Sequence, residues 1–187
     1  MRTRRQGAND SGMTLVELVL YSCVSVLVIS VLLSVFITAS QSQAATKNRD
    51  VAAGTAQVAT NSIQTSIRNS SSFSITGNLL RARVALGDNA GWQCKAWALT
   101  SSGDLVYLSS STAIAVPSSY TSWTVLATKV TGTLTSAAVF AAEGASGQRL
   151  KYGFAVTVGS SPTQARVPVE GGAVAQAKGS GSPASCW

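Results

Sequence analysis

The chain is expected to fold as an α+β protein: one long N-terminal helix, half membrane-spanning and half amphipathic, packed on an antiparallel β-sheet. Three observations lead there. Residues 13–36 form a run of 24 residues with almost no polar surface, interrupted by Glu17. Small and apolar residues then recur at helical spacing over residues 51–67. From Phe73 onward the apolar period falls from the helical value to two, the period of a strand with one buried face.

The apolar run sets the first element. At about 1.5 Å per residue its helix would span roughly 36 Å, enough to cross a ~30 Å hydrocarbon core with some tilt. An ordinary secretory signal has an apolar region of only about 7–15 residues, so this run is too long for one. Leu20-Tyr21-Ser22-Cys23 is a poor lipoprotein cleavage box, because Tyr21 is bulky and the apolar run continues past Cys23. Arg2, Arg4 and Arg5 precede the run and place its N-terminus in the cytoplasm by the positive-inside rule, although Lys47 and Arg49 dilute the bias. A carboxylate at the centre of such a helix costs roughly 2.5–3.5 kcal/mol, less near an end, so Glu17 calls for a specific partner.

Past the membrane the helix should continue. Val51, Thr55, Val58 and Ser62, with Ala52, Ala56, Ala59, Ile63 and Ile67 beside them, form a stripe suited to lie on a sheet. Lys47, Arg49, Asp50, Gln57, Asn61 and Gln64 face elsewhere. No proline falls within residues 13–69, and the helix should stop at the polar cluster Asn69-Ser70-Ser71-Ser72.

Strands follow. Leu80, Ala82, Val84 and Leu86 alternate with Arg81 and Arg83, which predicts a half-buried strand. Trp92–Leu99 and Leu105–Ser109 flank a Ser-Ser-Gly-Asp turn and form the clearest hairpin. Trp123–Val130, Leu134–Ala141 and Arg149–Val158 read as three more strands, and Ala165–Val169 as a weak one before a Gly/Ser/Ala-rich tail. The organisation is thus a leader at 1–12, a transmembrane helix at 13–39, its amphipathic continuation at 40–70, and a β-rich exported domain at 73–187.

Composition narrows the function. The net charge is +7; without the three arginines and one aspartate of the leader, 11 basic and 6 acidic residues remain, a net +5. That excess is dispersed, as on solvated strand faces, rather than gathered into a patch for nucleic acid. No histidine is present, which removes the commonest general base and metal ligand. There is no Ser-x-x-Lys, since the residues three before the five lysines are Ala44, Trp92, Leu126, Gln148 and Ala175. Nor is there a Gly-x-Ser-x-Gly elbow, a phosphate-binding glycine loop or a Cys-x-x-Cys pair. The acids Asp50, Asp88, Asp104, Glu143 and Glu170 stand apart in sequence. The reading is therefore non-enzymatic, without metal or cofactor. Cys23, inside the apolar run, behaves as a small hydrophobe. Cys94 and Cys186 form one disulfide if the domain is exported to an oxidising compartment, and two thiols otherwise.

The segment Gly12-Met13-Thr14-Leu15-Val16-Glu17-Leu18 closely resembles the cleavage and methylation motif of type IV prepilins and type II secretion pseudopilins. The resemblance covers about the first 40 residues and implies cleavage after Gly12 by a membrane prepilin peptidase, with N-methylation of Met13. It further implies that Glu17 pairs with the N-terminal amine of a neighbouring subunit and so sets axial register. The layout of helix, strands and terminal cysteine also resembles minor pilins, especially W-type minor pilins and J-type pseudopilins, and a Cys94–Cys186 bridge would close the tail as pilins do. The family implies a structural subunit, a minor pilin or pseudopilin, with a pilin-like fold. Its partners would be other pilin subunits, the assembly platform and its ATPase, and inner-membrane lipid. It would sit first in the inner membrane, then in a periplasmic or extracellular filament. The alternative is an exported binding module, a DNA-capture or adhesion subunit, for which Lys95 and Trp97 on one strand face would offer nucleic acid a cation and a stacking ring.

Overall fold

The computed structural model describes residues 14–87, 91–144, 148–179, 183 and 185–187. A single helix, α1, runs Leu15–Arg68. By its internal contacts the chain divides into two units, with the boundary inside α1 between Gln43 and Ala44.

In the first unit the described residues are helix from Leu15 onward. Thr14 caps it, its carbonyl accepting from Glu17 N at 3.0 Å and Leu18 N at 3.2 Å, and its Oγ1 from Glu17 N at 3.3 Å. Every large apolar side chain from Leu15 to Ile37 is exposed, and none of the apolar window is covered by the protein itself. Four hydroxyls bond within the helix: Ser22, Ser30 and Ser34 each donate to the carbonyl three residues back at 2.8 Å, and Thr38 to Ser34 O at 2.9 Å. Self-contained hydrogen bonding is what a hydrocarbon surrounding demands. The chain thus carries a long apolar N-terminal helix of the length and composition of a transmembrane segment.

The second unit packs the remainder of α1 on two antiparallel sheets. The first is a meander of β1 (Ser70–Thr76), β2 (Leu79–Ala85), β3 (Trp92–Leu99), β4 (Leu105–Ser110) and β5 (Thr124–Ala127), in that order. The second is centred on β8 (Arg149–Val158), which pairs along all ten residues with β9 (Ala165–Val174). The other edge of β8 is shared by β6 (Val130–Gly132) and β7 (Phe140–Glu143). The α+β class and the helix-on-antiparallel-sheet layout are those of a pilin-like fold, with two sheets where a single one was expected.

The main core lies between α1 and both sheets. Ala52, Ala56, Ala59, Ile63 and Ile67 meet Leu80, Ala82, Val84 and Trp97 of the first sheet and Leu150, Tyr152, Phe154 and Val156 of the second. The three alanines carry little bulk to hold the helix away from the sheets, and Ile63 and Ile67 are fully buried beside them. Each buried isoleucine contributes about 1.5–3 kcal/mol. Trp97 is fully buried, its Nε1 donating to Ser62 Oγ at 3.1 Å.

A second core occupies the opposite face of the first sheet. Leu79, Cys94, Ala96, Ala98 and Val106 are covered there by Ile114 and Trp123 of the β4–β5 connection and by Cys186. That cover corrects the half-buried expectation for the β2 region: Arg81 and Arg83 are buried as well as the apolar set.

Other expectations are corrected locally. Val51 and Val58 are exposed, because the buried arc of the helix is only as wide as the alanine–isoleucine stripe. Gln64 is half-buried and donates to Tyr152 Oη. The helix stops at Arg68, as expected before the polar cluster 69–72, and Ser70–Ser72 of that cluster open β1, where Ser70 Oγ donates to Ile67 O at 2.7 Å. The single strand expected at 123–130 is two, because Lys129 adopts a left-handed φ of 52° and carries the chain from the first sheet to the second. The strand expected at 134–141 is a 3₁₀ turn at Thr135–Ala137 followed by β7, with Ser136 and Ala137 also left-handed. The weak strand at Ala165 extends to Val174.

Candidate functional site

Two places in the chain hold the residues singled out above. Gly12 and Met13 lie outside the described residues, so the site at the helix start is seen from Thr14 onward. Glu17 is the acid of the first turn of α1, where the unsatisfied amides and the helix dipole favour a negative charge. Thr14 and Glu17 have the Thr-x-x-Glu spacing of a capping box. The carboxylate accepts from Tyr21 Oη, which reaches Glu17 Oε1 at 2.9 Å. Around them Leu15, Val16, Leu18 and Leu20 are exposed, so an acid held by one phenol stands on an otherwise apolar surface.

The second place is the far face of the first sheet, where the C-terminal residues are tied down. Cys94 of β3 and Cys186 are joined by a disulfide with Cα atoms 5.4 Å apart, both cysteines being fully buried. Ile114 N donates to Cys186 O at 3.0 Å. Arg83 Nε donates to Pro183 O at 2.6 Å, and its Nη1 to Ser71 Oγ at 3.2 Å and Gly179 O at 3.4 Å, while its guanidinium lies 3.9 Å over the Trp92 ring. Arg81 Nη1 donates to Ile114 O at 3.1 Å and Nη2 to Thr76 Oγ1 at 3.0 Å, its Nε lacking a partner among the described residues. Two cations expected on a solvated face thus hold the tail and the β4–β5 connection by their carbonyls. Cys23 is exposed and unpaired.

Lys95 and Trp97 share a face but not an environment. Lys95 is half-buried, whereas Trp97 faces α1 in the main core with no exposed surface. The pair therefore presents no ring on which a base could stack.

The acids remain apart. Glu143 of β7 lies 3.7 Å from Arg149 Nε and 3.8 Å from Lys151 Nζ of the neighbouring β8, all three side chains partly exposed. Asp104 accepts from Ser102 Oγ at 2.8 Å, and Glu170 from Thr133 Oγ1 at 3.2 Å. Asp50 is exposed on α1, and Asp88 lies outside the described residues. Among the described residues no three metal-binding side chains converge. A cleft of about 440 Å³ opens between the β3–β4 turn and the β4–β5 connection, lined by Thr100, Ser102, Asp104, Tyr120 and Trp123 among others. Its polar lining is hydroxyls and the single carboxylate of Asp104, which accepts from Ser102 Oγ. The perturbed titrating group is Tyr152, whose phenol is pushed up by burial against α1.

Sequence reasoning missed Arg81, Arg83 and Tyr21. For Tyr21 a signal existed: it lies four residues after Glu17, within reach on one helix face. The arginines gave none, because what covers β2 comes from segments 33 and 100 residues further on. Compared with known proteins, the chain matches no family model, no curated protein and no solved structure.

Proposed function

We propose that the chain is a structural subunit, a minor pilin or pseudopilin, of a type IV pilus-like filament. It resides in the inner membrane with its N-terminus in the cytoplasm, is cut after Gly12 by a prepilin peptidase and methylated on Met13, and joins other pilin subunits through its N-terminal helix with the help of an assembly platform and its ATPase. The observation that carries this reading is Glu17: an acid in the first turn of an apolar helix, among exposed apolar side chains. Cleavage at Gly12 would create an amine one helical turn from that acid, and two opposite charges in hydrocarbon each need the other. A neighbour's amine meeting Glu17 fixes where one subunit sits along the next. The α+β layout of the second unit, a helix packed on antiparallel sheets, supports the reading. The nucleic-acid alternative lost the Lys95/Trp97 platform when Trp97 proved buried.

The test is a pair of substitutions followed by N-terminal mass spectrometry and by immunoblotting of sheared filaments. Gly12→Leu is expected to leave the leader attached. Glu17→Val is expected to be processed normally yet missing from filaments. Incorporation of the Glu17→Val protein at the wild-type level would refute the charge-pairing mechanism.

A further inference from the structure

We propose that Tyr21 is the positioning residue for Glu17: its hydroxyl holds one carboxylate oxygen inside the subunit and leaves the other to accept the N-terminal ammonium of a neighbouring pilin subunit. The inference rests on the assembly reading above, to which it adds a residue and a geometry.

Helical side chains lean toward the N-terminus, so the ring of residue i+4 lies over the turn that holds residue i. Tyr21 and Glu17 stand in that relation, and Tyr21 Oη lies 2.9 Å from Glu17 Oε1. Both side chains lie on the uncovered surface of α1, with Tyr21 57% exposed. Leu18 and Leu20, exposed near them on the same turns, have no donor to offer. Among the described residues, Glu17 Oε2 has no hydrogen-bond partner. A carboxyl surrounded by hydrocarbon without a donor is costly, and it would swing toward water at the membrane surface. A phenol one turn away removes that need and fixes the rotamer. Glu17 then enters association with its side-chain freedom already spent, which lowers the entropic penalty of pairing. Because Tyr21 occupies a single oxygen, the hold and the intersubunit pair do not compete for the same lone pairs.

A merely structural role for Tyr21, as an aromatic anchor at the membrane surface, predicts something different. Tyr21→Phe keeps the ring and removes only the hydroxyl, so an anchor would be preserved and a hold lost. The full chain, wild type and Tyr21→Phe, is reconstituted in phosphatidylethanolamine/phosphatidylglycerol vesicles with ¹³C-carboxyl glutamate, in a Glu143→Gln/Glu170→Gln background that leaves Glu17 as the labelled acid. Infrared spectroscopy then reads the Glu17 carboxyl directly. Tyr21→Phe is expected to shift that band and, in cells, to lower incorporation into sheared filaments roughly two- to tenfold, the factor that ordering one side chain on association brings. An unmoved band, or wild-type incorporation of Tyr21→Phe, overturns the proposal. The two readings fail separately. Exclusion of Glu17→Val from filaments with an unmoved Tyr21→Phe band sinks the hold alone. Normal incorporation of Glu17→Val sinks the assembly reading and the positioning role with it, whatever the band does.

Discussion

At the scale of single residues, the main core contains one buried phenol that links helix and sheet. Tyr152 is 1% exposed, and its Oη receives Gln64 Nε2 from α1. Gly171 on β9 makes room for it, since a Cβ there would collide with the Tyr152 hydroxyl. Burial raises its pKa above the ordinary value of 10.0, with the Gln64 hydrogen bond and the Arg68 charge opposing. The folded state therefore keeps its proton at a pH where the unfolded chain has released it. That contribution is fully present below the unfolded pKa and is lost as pH rises from about 10 through the raised folded value. Tyr152→Phe is expected to cost about 0.5–1.5 kcal/mol at neutral pH through the lost Gln64 bond. The deficit should shrink above pH 10, because the phenylalanine protein has nothing there to titrate. Urea melts of both proteins at pH 7 and pH 10.5 check the sign: a deficit that grows with pH refutes it.

Among the elements, the C-terminal tail is held to the first sheet by ties of two kinds. The Cys94–Cys186 bridge and the Arg83 hydrogen bonds to Gly179 and Pro183 act on the same segment. Cys186→Ser is expected to lower stability by about 2–5 kcal/mol, and Arg83→Met by about 1–3 kcal/mol. Because both ties order one stretch of chain, their effects should not add. With the bridge gone the tail is already loose, and Arg83→Met then costs less than it does in the wild type. A denaturant double-mutant cycle measures this, and strict additivity would show that the two ties act independently. The same tail explains why the Leu79–Ala85 strand was misread. Its pattern of apolar residues alternating with arginine is that of a half-solvated strand, and only the cover supplied by Ile114, Pro183 and Cys186 makes it a two-sided one. The split at Lys129 was equally invisible, because a left-handed lysine has no sequence signature of the kind glycine provides.

For the molecule as a whole, the two units make separate demands on their surroundings. The unit from Ala44 to Trp187 has its own core against both sheets, and the described residues of the other have none. Residues 44–187, exported to an oxidising compartment, are expected to give a soluble protein that unfolds in one cooperative transition, while the full chain sediments with membranes. Circular dichroism melts and fractionation test this. Aggregation of the 44–187 fragment under oxidising conditions would show that the globular unit depends on the apolar helix.

The sequence alone determined the long helix, the acid in its apolar run, the alanine–isoleucine stripe at Ala52, Ala56, Ala59, Ile63 and Ile67, and the hairpin of β3 and β4. Each is a local matter of period, length or turn chemistry, legible within some twenty residues. The tertiary structure alone decided the second sheet, the burial of Trp97, the carbonyl-binding roles of Arg81 and Arg83, and the partner of Tyr152. These depend on which distant segment comes to lie over a strand, and a strand's own pattern records one face as apolar without recording what covers the other.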